Sequence, residues 1–282
     1  MVAKEKTDVV VQSQAGLPAE YAGLEAYAGQ GLNDLDSSDR SVPFLKVLEK
    51  TSPEIESVPG ARPGMIIDTA TQKLYESIRF VPAVREHAFV EWVPIETGGG
   101  LVGSYTMDSD IAKWAKSQRG KIKLRNGNDL VETFYLFGVL LPEVGDDELD
   151  PKPVVLSFTS TRIKTYKSIV NRSDSIMLMG AGGRKFKAPW FCHVWRIGTV
   201  KKVDGAQSWF LYTAEFDSED KGATGARLPA EHPAVLMGAE MVRQKSSGEL
   251  KMAQESSGLD QPDTGASNSG GGRQQDLEDP PF

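Results

Sequence analysis

The sequence predicts a β-rich α+β body with inserted helices, preceded by a flexible segment and followed by a disordered acidic tail. Three observations carry this. Stretches rich in β-branched and aromatic residues (78–84, 89–95, 130–141, 154–158, 190–200 and 208–216) are separated by Gly, Pro and Asn turn signals. Helical spacing of apolar residues appears only in short runs. After residue 245 Gly, Ser, Gln and Asp dominate and no apolar period survives. Such a composition cannot bury enough surface to offset the entropy of ordering. The 282 residues therefore divide into a flexible segment 1–40, a body 41–245 and a tail 246–282.

In order along the chain, residues 1–38 mix small and polar types, with a short helix expected over 19–28. The stretch 43–48 begins the first apolar run, and the Pro-Gly pairs at 59–60 and 63–64 signal turns before a short strand at 65–68. The strands 78–84 and 89–95 flank the polar Arg85-Glu86-His87, which predicts a hairpin. Gly98-Gly99-Gly100 breaks the pattern. Residues 108–117 predict a helix capped by Asp108 or Ser109, with Ile111, Trp114 and Ala115 on one face. Asn126-Gly127 marks a turn into a long central strand, LVETFYLFGVLL, at 130–141. An acidic loop at 145–153 leads to a strand at 154–158. A helix capped by Thr159 or Ser160 follows over 159–170, and a Gly-rich basic loop occupies 171–187. The strands 190–200 and 208–216 turn at Asp204-Gly205, and a helix over 229–245, with Pro229 in its first turn, closes the body.

Several classes are excluded at this level. Cys192 is the single cysteine, so neither an intrachain disulfide nor a Cys-rich zinc site is available. No run of eighteen apolar residues predicts a membrane span, and the opening residues lack the apolar core of a signal peptide. A cytoplasmic setting is the expectation.

The net charge of -7 hides a strong asymmetry. Residues 1–103 hold 9 basic and 15 acidic groups, residues 104–202 hold 17 and 10, and residues 203–282 hold 6 and 14. Sign separation of this kind predicts a polyanionic partner for the middle and a separate role for the tail. Three basic clusters carry the middle. The first is Lys113, Lys116, Arg119, Lys121, Lys123 and Arg125, with Trp114. The second is Arg162, Lys164, Lys167 and Arg172, with Tyr166. The third is Arg184, Lys185 and Lys187, with Phe186 in the Gly-rich loop. Binders of single strands need cations to follow phosphates and aromatic faces to stack bases, so all three are candidate DNA contacts. The bland reading of each is a solvated face. Trp190 and Trp195, on strand positions, read as core.

The chain ends in Asp276-Leu277-Glu278-Asp279-Pro280-Pro281-Phe282 behind a spacer containing Ser269-Gly270-Gly271-Gly272. This arrangement resembles bacterial single-stranded-DNA-binding proteins, whose polar linker leads to an acidic tip ending in Pro-Phe. Some phage single-stranded-DNA-binding proteins similarly end in acids and an aromatic. Asp276, Glu278 and Asp279 match the acidic run and Pro281-Phe282 the final dipeptide, while Pro280 stands where Ile is usual. The stretch 45–105 also looks like phage-encoded early proteins. The resemblance implies an OB-like β-barrel, which presents one face and its loops to single strands. It also implies a tip that recruits replication or recombination proteins. Physically, Phe282 offers a ring and a carboxylate at one point, suited to an apolar pocket with a cation at its rim.

Little points to catalysis. Gly180–Gly183 lacks the flanking pattern of a phosphate-binding loop. His87, His193 and His232 are scattered, and Cys192-His193, read as adjacent strand residues, point to opposite faces. Asp146-Asp147-Glu148 with Asp150 does not match a calcium loop. The expectation is a non-enzymatic coat of single-stranded DNA, without cofactor or metal, self-association being compatible with it. Alternatives are a recombination or annealing mediator, an anti-host interaction protein or, less in keeping with the residues, a nucleotide-handling enzyme.

Overall fold

The computed structural model describes residues 41–144 and 150–252. The elements in chain order are β1 (Phe44–Val47), α1 (Glu54–Ser57), β2 (Ile66–Asp68), β3 (Leu74–Tyr75), β4 (Ser77–Val93), β5 (Gly100–Thr106), α2 (Asp110–Ser117), β6 (Ile122–Lys123), β7 (Asp129–Leu141) and β8 (Lys152–Thr159). They continue with α3 (Ile163–Asp174), β9 (Met177–Met179), β10 (Lys185–Lys187), β11 (Trp195–Asp204), β12 (Gln207–Phe216) and α4 (Pro233–Ser247). The β-rich class with few helices holds. Ten strands form one sheet along the path β12-β11-β4-β7-β8-β1-β2-β3, with β5 added to β4 and β6 to β7. All pairings are antiparallel except β1 with β8.

β4 and β7 pair along nearly their whole lengths and form the spine. Both faces of this spine are covered, which explains the unbroken apolar run of β7. Phe134, Leu136 and Leu140 point to one face and pack with Tyr166 and Ile169 of α3. Tyr135, Phe137, Val139 and Leu141 point to the other and pack with Ala234 and Met241 of α4. Each fully buried side chain of this size stabilises the fold by about 1.5–3 kcal/mol. At Gly138 a Cβ would sit 2.3 Å from the Val81 carbonyl oxygen and 2.4 Å from the Phe80 ring. The absent side chain is what leaves room for the Phe80 ring against the spine.

The predicted hairpin at Arg85-Glu86-His87 is not there. β4 runs through it as one 17-residue strand. The reason is a bulge between Pro82 and Val84. Before it, the odd-numbered Val81 and Ala83 face the α4 side. After it, the even-numbered Val84, Ala88, Val90 and Trp92 do. A bulge inserts one unpaired residue and shifts the period-2 pattern by one. In sequence, that shift reads as two strands with a break.

Other expectations shift locally. Ser109 caps α2, accepting from the Ala112 amide, as read. Neither Thr159 nor Ser160 caps α3: a 3₁₀ turn, Ser160–Arg162, precedes the helix, and Ser160 holds a φ of 48°. The Gly-rich stretch is a small hairpin, β9 with β10, because Met177, Leu178 and Met179 pair with Lys187, Phe186 and Lys185. The strand predicted from residue 190 begins at Trp195, after a 3₁₀ turn at Trp190–Cys192. That turn brings Cys192 Sγ to 3.1 Å from His193 Nδ1, so the two side chains meet rather than diverge. α4 begins at Pro233, with His232 and not Pro229 at its start. The expected helix over 19–28, residues 145–149 of the acidic loop and the tail from 253 lie outside the described residues.

The sheet curls until its ends meet through side chains. Tyr212 of β12 donates to the Leu45 carbonyl of β1 at 3.5 Å, and Thr199 of β11 donates to the Gly64 carbonyl. The outer edge of β12 is not left bare. Arg162 Nε, Thr165 Oγ1 and Arg172 Nη1 donate to the carbonyls of Phe210, Tyr212 and Ala214, at 3.0, 2.8 and 3.3 Å. α3 thus covers an edge that would otherwise invite another strand.

Candidate nucleic-acid interface

α3 meets residues of the first basic cluster at one end and of the third at the other. At its N-terminal end, a cleft of about 490 Å³ opens between α2, β6, β7 and the 3₁₀ turn. Lys116 and Lys121 of the first cluster line it together with Ser160 and Ile163. Along α3, Lys164 and Lys167 are exposed. At its C-terminal end, Asp174 receives Lys187 at 2.5 Å, tying the β9–β10 hairpin to the helix. A 12-residue helix spans about 18 Å.

The predicted contacts separate by environment. Lys113, Lys116, Arg119, Lys121, Lys123 and Arg125 are exposed. Lys113 lies 3.4 Å from Asp110, and Lys121 and Lys123 approach Asp129 at 3.5 and 3.4 Å. Trp114 is half-buried and packs its ring into the cluster of Phe89, Ile122 and Leu130 beneath α2. Arg184, Lys185, Phe186 and Lys187 are all exposed, as read. Phe186 is 45% exposed, and Met177 and Met179, on the other face of the hairpin with Lys185 and Lys187, are 52% and 63% exposed.

Three residues of the second cluster are taken up by the fold. Tyr166 is 3% exposed and packs against Phe134 and Phe158, with ring centroids 4.6 and 5.7 Å away, so it has no free face for a base. Arg162 forms a shielded ion pair with Glu49 besides its bond to Phe210. Arg172 lies over the Trp195 and Phe216 rings at 4.9 and 4.6 Å. The tip residues Asp276, Glu278, Asp279, Pro280, Pro281 and Phe282 lie outside the described residues.

The fold also makes an acid–imidazole pair that the sequence hides. His87 Nε2 lies 2.9 Å from Glu132 Oε1, and the imidazole stacks on Phe134 at 3.9 Å and 14°. The two residues are 45 apart in sequence and meet only because β4 crosses the break that looked like a turn. Burial lowers the His87 pKa, Glu132 pulls it back up, and Lys116 and Arg85 push it down, so the ring is held below its ordinary value. Glu91, by contrast, is structural. It is 3% exposed and accepts from Tyr105 at 2.5 Å, Asn126 at 2.9 Å and Asn128 at 2.6 Å. That bond to Glu91 raises the Tyr105 hydroxyl to about 12.

Among the described residues, no three His, Cys, Asp or Glu side chains gather as a metal would require. No helix among them is long and apolar enough to cross a membrane. Comparison with curated proteins and with solved structures finds no match. A family model described as Pam3 phage gp34-like protein matches residues 11–234, most of the chain, and to this phage protein family the chain belongs.

Proposed function

We propose that the chain binds single-stranded DNA stoichiometrically, without turnover, in phage replication or recombination within the host cytoplasm. The observation that carries the reading is the path of exposed cations joined by α3. It runs from Lys116 and Lys121 at the cleft, through Lys164 and Lys167, to Arg184, Lys185 and Lys187 on the hairpin that also exposes Phe186. Cations at several points with an exposed ring are what a sequence-tolerant single-strand surface needs. In this reading the curled sheet is an OB-like barrel whose ends close through side chains. The acidic Phe-ended tip recruits replication or recombination proteins.

Fluorescence anisotropy of labelled oligo-dT against duplex DNA across a salt series tests the body. Preferential binding of oligo-dT that weakens steeply with salt is the expected outcome. Equal binding to duplex, or none at low salt, removes the proposal. Deleting 276–282 is expected to leave oligo-dT affinity equal or tighter while abolishing capture of host replication proteins. Undiminished capture discards the recruitment half.

A further inference from the structure

The cleft beside α3 has features that a purely electrostatic track does not need. It is a concavity of about 490 Å³, inside the range of small-ligand pockets, about 300–1,000 Å³. Its apolar lining includes Phe89, Leu130 and Ile163, and its polar lining Lys116, Lys121 and Gln118 together with the Asp129 carboxylate. Glu132 lines the same cleft, held by His87. Lys121 is 52% exposed although it approaches Asp129, which also serves Lys123, so it can turn toward a ligand while Asp129 keeps a partner. Ser160, with its left-handed backbone, turns the chain from β8 toward α3 at the margin. Such strain persists only where the surroundings hold it, and ligand sites are among the places that do.

We propose that this cleft takes one nucleotide unit, with its phosphate between Lys116 and Lys121 and its base over the apolar lining of Phe89, Leu130 and Ile163. Two ammonium groups in one cleft match a phosphate, which uncharged or cationic ligands would leave unanswered. An apolar lining with an amide and a carboxylate in the same cleft matches a base, whose faces are apolar and whose rim donates and accepts. The unit is either a free nucleoside monophosphate or one residue of a bound strand. The second source rests on the single-strand reading above, and the first does not.

The test uses the full chain and isothermal titration calorimetry with dTMP, thymidine and inorganic phosphate, beside oligo-dT anisotropy. dTMP is expected to bind at millimolar concentration or below, more tightly than thymidine or phosphate. The double variant Lys116→Ala with Lys121→Ala is expected to weaken dTMP about tenfold, the loss of charge-assisted bonds. Glu132→Gln removes a repelling charge and is expected to tighten dTMP several-fold without tightening thymidine. That gain cannot arise from misfolding. Absence of dTMP binding overturns the proposal, as does equal affinity of the double variant. If oligo-dT binds while dTMP does not, the cleft fails and the single-strand reading stands. If dTMP binds and oligo-dT does not, the cleft stands as a free-nucleotide site and the single-strand reading fails.

Discussion

Two basic regions follow one another in the chain and meet opposite fates. In α3 and the turn before it, Arg162 and Arg172 bend back onto the sheet, where they cap β12 carbonyls and cover aromatic rings. In the hairpin after it, Arg184 and Lys185 stand in solvent and Lys187 reaches Asp174 at the surface, on a ribbon that also exposes Phe186. Nothing in the local charge pattern separates them. The difference is that β12 is the end of the sheet path, and an edge strand needs donors for its outward carbonyls. A planar guanidinium can donate to a carbonyl and lie on a ring at once, which suits arginine to that position. Basic residues beside an uncovered edge are spent on the fold, while those on the two-stranded hairpin stay at the surface, Lys187 beside Asp174.

The sharpest way to break this contrast is stability. Arg162→Ala removes the shielded ion pair with Glu49 and the bond to the Phe210 carbonyl, and should destabilise the protein by about 3 kcal/mol in urea denaturation. Arg172→Ala, losing a carbonyl bond and two ring contacts, should cost about 2 kcal/mol. A cost below about 0.5 kcal/mol for both would mean the edge is covered by something else. Next comes binding. Charge reversal at Lys185 and Lys187 should weaken oligo-dT and flatten the log–log salt dependence by about 1.4, two single-strand phosphate contacts. An unchanged slope would move the hairpin out of the DNA path. The smallest effect belongs to Lys164→Ala and Lys167→Ala, exposed on the helix that carries Arg172. Their stability should stay within about 0.5 kcal/mol of the parent. A larger loss would erase the distinction between the two regions.

Acid sharpens the picture of the covered side. His87, His193 and His232 are all held below 6.5, chiefly by burial. The unfolded chain therefore binds protons that the folded chain refuses. The stability they contribute is complete above pH 6.5 and falls as pH drops from there through the lowered folded values. Asp68 acts in a lower window. Burial opposes its ionisation, but Lys152 and the Ala70 amide outweigh it, leaving its pKa below 3.8. Its contribution is present above 3.8 and is lost as pH falls through that lower value. A pH series of urea midpoints should decline first below 6.5. A flat series from 7 to 5 contradicts the lowered histidines.

Much of the architecture was legible in local composition. The long strand at 129–141, the Ser109 cap, the Asn126-Gly127 turn and the β11–β12 ribbon each follow from propensity and turn chemistry acting within a few residues. The exposed hairpin cations were legible too, because a polar stretch with glycines has little to bury. The uninterrupted β4 was not, since a bulge shifts alternation in the same way that a turn ends it. The pair His87–Glu132 was lost with it.

The sequence by itself determined the β-rich class, the sign separation along the chain and the acidic composition of residues 276–282, because each depends on residue types and near neighbours alone. Only the tertiary structure decided which cations stay exposed, which tyrosine is core and where a cleft opens. Those outcomes depend on which strand ends the sheet and what lies against it, a relation between residues far apart in the chain.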